Sequence, residues 1–82
     1  MATEELVLVT WVDAKARAGR MERREALAEK FPVVKTAGFL LERSEERVVV
    51  AASVLDDGDV GEVSWILAAL VTDIRSLGSF AT

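Results

Sequence analysis

Residues 6–12 read Leu6-Val7-Leu8-Val9-Thr10-Trp11-Val12, β-branched or aromatic at most positions and apolar on both of the faces a strand would present. Such a segment is a strand. It must also be covered on both sides, which makes it a central strand or one buried in a subunit contact. A chain of 82 residues has little with which to cover it. A domain of this size buries only about 60% of its unfolded surface, so its core is thin. Small domains compensate with disulfides, a metal or self-association. The chain has no cysteine and no histidine, which removes disulfides, thiolate metal sites and the commonest zinc ligand. With 51% apolar residues, the expectation is one domain, 1–82, that associates with itself and carries no cofactor.

Two more strands and one helix can be placed from pattern. After a small, charged loop from Asp13 to Gly19, residues 20–31 are dominated by Arg, Glu, Ala, Leu and Met, all helix formers. Leu27 and Phe31 lie four apart on one side, and Pro32 ends the helix. No Ser, Thr, Asp or Asn caps its start. Val33 to Glu42 alternates as a strand, with Gly38 marking a bend or a close backbone approach. Arg43-Ser44-Glu45-Glu46 is a polar turn, Arg47 to Leu55 a further strand, and Asp56-Asp57-Gly58-Asp59 a strong turn signal. The last third is ambiguous. Val63, Ile66, Leu67, Leu70, Ile74 and Leu77 fit one side of a helix with Gly78 as C-cap, and periodicity alone favours that reading. The alternative is two short strands, Val60 to Leu67 and Leu70 to Leu77, joined at Ala68-Ala69.

The order of these features resembles the Sm-like small β-barrel of Sm, LSm and Hfq proteins. Gly38-Phe39-Leu40 stands where that family has a glycine followed by a large apolar residue, Val48-Val49-Val50-Ala51 stands as its next strand, and Ile66 to Ile74 as the heart of its closing strand pair. The resemblance selects two strands over a helix in the last third. It implies a mostly-β fold, a five-stranded barrel assembled as a homo-oligomer such as a ring; the one short helix inserted between strands 1 and 2 departs from the family, which has only a short turn there. Val9-Thr10-Trp11-Val12-Asp13 is also similar to the opening of short hypothetical proteins of phages and prophages. That likeness implies a cytoplasmic, phage-encoded protein that sequesters a nucleotide immune signal as an anti-defence measure. The RNA-reading residues of the Sm family are absent: Ser44-Glu45-Glu46 occupies the first hairpin in place of an Asp and an Asn, and Ala68-Ala69 the last turn in place of Arg-Gly.

Chemistry narrows the function classes. Without His, Cys or Tyr, and with no serine in a nucleophile-elbow sequence, the chain lacks the histidine base that activates a nucleophile, so an enzyme is not expected. A net charge of −4 disfavours general binding to a phosphate backbone. No segment is long and apolar enough to cross a membrane. The acidic turn Asp56-Asp57-Gly58-Asp59 lacks the spacing of a calcium loop and reads as a hairpin turn. The most suggestive group is basic. Arg17, Arg20, Arg23 and Arg24 cluster around the helix start, and guanidinium forks grip phosphate oxygens bidentately; the competing reading is a solvated face balanced by Glu22, Glu25 and Glu29. Trp11 and Trp65 could stack on a base or serve as core and interface, and Lys35 and Arg43 could reach a phosphate at a subunit boundary or face solvent. The leading expectation is a non-enzymatic homo-oligomer that captures a small phosphorylated nucleotide between subunits. The alternatives are a protein-interaction module that inhibits a host protein, and an RNA-binding ring.

Overall fold

The computed structural model describes residues 3–81 and is mostly β: five antiparallel strands in one sheet, ordered β4-β3-β2-β1-β5. The strands are β1 (Thr3–Val12), β2 (Val33–Arg43), β3 (Arg47–Val54), β4 (Val60–Leu67) and β5 (Val71–Ala81). A six-residue helix, α1 (Arg23–Ala28), lies between β1 and β2, and a single 3-10 turn, Ala68–Leu70, joins β4 to β5. The last third is therefore two strands, and the helical spacing of Ile66, Leu70 and Ile74 is not used. Burial decides it: Ile66 is 2% exposed at a position paired with Val48, whereas a helix there would have withdrawn a strand from each side of the sheet.

β1 is central, as its two apolar faces require. It pairs with β2 from Leu6↔Phe39 to Val12↔Val33 and with β5 from Thr3↔Ala81 to Trp11↔Val71. Val7 and Val9 alternate onto one face and are at most 1% exposed. They form the core with Val48, Val50 and Ile66, and Trp11, Leu40, Val71 and Ile74 pack around them. Burying each such valine contributes roughly 1.5–3 kcal/mol. β3 is buried on both faces over Val48–Ala51, the pattern of a strand inside a sheet. On the face opposite the core, Phe39 and Phe80 meet edge to face with centroids 6.4 Å apart.

Gly38 works through close approach. A Cβ there would lie 2.8 Å from the carbonyl oxygen of Ala51 and 3.3 Å from the Cβ of Val50. This contact is where β2 changes partner: residues 33–39 pair with β1 and residues 39–43 with β3. A register shift between Leu40 and Glu42 follows at once, and such bulges bend a strand. Gly78 sits at φ +147° inside β5, opposite Leu6, beside another register shift. It is a strand glycine at a bulge, not a helix cap.

The expected barrel is corrected in one respect: the sheet is not closed. Among the described residues β4 pairs with β3 alone and β5 with β1 alone. Only the short turn at 68–70 spans that side, held by the Ala68 N–H donating to the Glu46 carbonyl at 3.0 Å. Closure needs β4 and β5 to face each other in register, and both leave the turn in extended conformation toward different partners.

The expected helix is also shorter than residues 20–31. Its flanking residues Glu22 and Glu29 are extended, no side chain caps it, and none of its residues is buried. Without tertiary packing a helix this short gains little, so the helix formers on either side stay out of it.

Candidate functional site

Residues 13–32 form an arm that leaves the sheet between β1 and β2. The two strands stay paired up to Val12↔Val33, and the Asp13 N–H donates to the Pro32 carbonyl at 2.9 Å across the base. The chain is accordingly long and narrow, 56 × 21 × 20 Å. Leu27 and Phe31, four apart on one side of the expected helix, are 80% and 66% exposed, because the arm projects from the sheet and has nothing to pack on.

Arg17, Arg20, Arg23 and Arg24 all lie on this arm and are exposed. Arg24 approaches Glu22 at 4.0 Å; Arg17, Arg20 and Arg23 form no ion pair among the described residues. Of the acids of the solvated-face reading, Glu22 is the one that approaches Arg24, and Glu25 forms no ion pair among the described residues. Glu29 is held by Lys15, whose Nζ donates to Oε2 at 2.7 Å across the two limbs of the arm. That hydrogen bond, then the Lys15 charge, with a lesser contribution from Arg17, hold the Glu29 carboxyl below its ordinary pKa.

Between the limbs is a pocket of about 280 Å³ whose walls include Lys15, Arg17, Met21, Glu29, Lys30 and Phe31. Three cations face one carboxylate there, beside an exposed aromatic ring. This is close to the lower size of small-ligand sites, about 300 Å³. Of the residues expected to bind a ligand only Arg17 lines it. Lys30, Met21 and Phe31 were missed because a regular helix through residue 31 places Phe31 toward a core; the extended backbone at Glu29 returns the chain toward Lys15 instead.

The remaining expected residues do not join this pocket. Lys35 is exposed on β2 opposite Thr10, near the base of the arm. Arg43 pairs with Val48 at the far end of β2, and Trp65 pairs with Val49 on β4. Because Val48 and Val49 point to opposite faces, so do Arg43 and Trp65. Trp65 is 65% exposed. Trp11 packs against the core, and its indole N–H donates to the Thr36 hydroxyl at 3.0 Å, a bond that satisfies its one polar atom.

The hairpin turn at 44–46 is built by Ser44, whose hydroxyl oxygen accepts from the N–H groups of Glu46 and Arg47 at 3.2 Å. Beside it Arg47 donates to Glu42 at 2.7 Å; this bond lowers the Glu42 pKa and raises that of Arg47. The acidic corner at 55–59 is a tight turn in which the Asp59 N–H donates to the Asp57 carboxylate at 2.9 Å. The two outer strands carry exposed apolar side chains, Trp65 and Leu67 on β4 and Leu77 and Phe80 on β5. No family, curated protein or solved structure matches the chain.

Proposed function

We propose that the chain is a non-enzymatic, homo-oligomeric binding protein that captures a small phosphorylated nucleotide on its arm, at the boundary between subunits. The observation that carries this reading is the convergence of Lys15, Arg17 and Lys30 beside the ring of Phe31. Guanidinium and ammonium groups bind phosphate oxygens, and an exposed ring offers a base a surface to stack on. Capture alone needs no catalytic group.

Self-association is supported by the two unpaired outer strands. Each presents a row of backbone donors and acceptors and carries large exposed apolar residues, a combination that is hazardous unless paired. Pairing β4 of one copy with β5 of the next is a head-to-tail contact, which closes into a ring when the rotation allows. It would complete across subunits the Sm-like barrel wall that one chain leaves open. The biological role that goes with this reading is sequestration of a nucleotide immune signal by a phage-encoded cytoplasmic protein.

Isothermal titration calorimetry with nucleoside monophosphates and cyclic dinucleotides tests it. The variant R17E/K30E weakens binding by about 1.4–3 kcal/mol, at least tenfold. Absence of affinity for every nucleotide at low salt ends the proposal, while sedimentation of the same samples reports the oligomer independently.

A further inference from the structure

The arm has a second surface outside the pocket. On α1, Arg23, Arg24 and Leu27 share one side and none of them lines the pocket, whereas Ala26, about 100° round the helix from Leu27, and Glu29, just past the helix end, do. Leu27 is thus an exposed apolar residue set between two arginines. An isolated helix of fewer than about 12–15 residues is marginal in water. α1 has six, with no side-chain cap and no buried residue. Within the chain the arm is braced by the Lys15–Glu29 pair and the Asp13–Pro32 bond at its base; packing against a partner surface would supply the support that burial does not.

Charge selects the support. Residues 13–32 carry six basic and four acidic side chains and the rest of the chain four and ten, which gives +2 for the arm and −6 for the remainder. The acids are densest at the β3–β4 corner, Asp56, Asp57, Asp59 and Glu62, and no Lys or Arg occurs between Arg47 and Arg75. That corner repeats the pattern of the arm with the opposite sign: Leu55 and Val60 are 51% and 39% exposed among the aspartates. The arm cannot reach the corner of its own chain. Leu55 and Asp56 lie beside Glu4 and Phe80, at one end of β1, and the arm leaves from Val12 at the other, about 26 Å along the strand, on a molecule 56 Å long.

We propose that α1 docks on the β3–β4 corner of a second copy, Leu27 against Leu55 and Val60, with Arg23 and Arg24 facing Asp56, Asp57 and Asp59. Each copy then gives one arm and receives one, and the pocket side of the arm stays open to ligand. The inference rests on the homo-oligomer reading but not on the pairing of β4 with β5 or on the identity of the ligand.

A charge swap tests it in the full-length chain. Two variants, R23E/R24E and D56K/D57K, are compared with the unaltered protein by sedimentation equilibrium at about 50 mM salt, where the Debye length exceeds 10 Å. Circular dichroism confirms that each is folded; all four positions are exposed. Each variant alone is expected to associate about tenfold more weakly, and the equal mixture to recover the original affinity, because each chain then offers what the other lacks. Variants that assemble as the unaltered protein does, or a mixture that recovers nothing, overturn the docking while leaving assembly through outer strands intact. A monomeric unaltered protein overturns both.

Discussion

Gly38→Ala isolates the contact that bends the sheet. The new methyl would sit 2.8 Å from the Ala51 carbonyl oxygen and 3.2 Å from its carbonyl carbon. Those are backbone atoms of a strand paired on both sides, so neither can turn aside. Adding a methyl to a filled site costs typically 1–3 kcal/mol, and alanine offsets about 0.4–1 kcal/mol of that by narrowing the unfolded ensemble. A net loss of about 1–2 kcal/mol corresponds to a Tm lower by about 4–16 °C in a domain of this length. Gly61→Ala is the control. Its methyl would come still closer to a neighbour, 2.7 Å, but that neighbour is the hydroxyl oxygen of exposed Ser53, which can rotate away. Urea unfolding and thermal melts at one fixed protein concentration, which holds constant any contribution of the proposed association, should rank Gly38→Ala well below Gly61→Ala. Equal stabilities, or the reverse order, would refute the argument that the immobility of the neighbour, rather than its distance, sets the cost.

Other expectations follow from burial and charge. Val9→Ala, at a position with 0% exposure, lowers stability by about 2–3 kcal/mol in urea titrations, whereas Leu27→Ala changes it by less than about 0.5 kcal/mol in the dissociated chain. Trp11→Phe removes the bond to Thr36 and costs about 1 kcal/mol; it also leaves Trp65 as the sole indole, so iodide quenches the remaining fluorescence readily. The carboxyls of Glu29 and Glu42 titrate below their ordinary value because Lys15 and Arg47 hold them. A carboxyl depressed on folding contributes stability above its unfolded pKa and loses it as pH falls through the folded one, so both contributions are complete at neutral pH and fade in acid. In carboxyl NMR titrations K15M raises the Glu29 midpoint and leaves Glu42 unmoved; movement of both refutes the separate pairings.

The strands were legible because their residues are nearly all β-branched or apolar and their turns carry Gly, Asp and Ser. β4 spans Val60–Leu67 as read, and β2 and β3 each end within a residue of the expectation. The last third was not decided by its own pattern, since Ile66, Leu70 and Ile74 satisfy a helical period equally well; a partner strand, Val48 opposite Ile66, settles it, and that partner is distant in sequence. Closure of the barrel was not legible for the same reason: whether β4 meets β5 depends on the direction in which two strands leave a three-residue turn. At the candidate site, the clustering of Arg17, Arg20, Arg23 and Arg24 was visible, but that only Arg17 of the four lines the pocket was not. The helix ends at Ala28, four residues before the proline that was expected to end it.

The position of β1 has a kinetic consequence. Its two neighbours come from very different distances along the chain: β2 follows after the arm, but Leu6 finds its other partner only at Gly78. Val7 and Val9 therefore remain without the full surround of their core until β5 has been made. Sheets dominated by such remote pairings fold in milliseconds to seconds rather than microseconds. During that interval β1 is a bare, sticky strand with one side open. A growing chain therefore carries β1 with one edge open from the pairing of β2 until β5 is in place, a window in which unpaired strand edges favour aggregation.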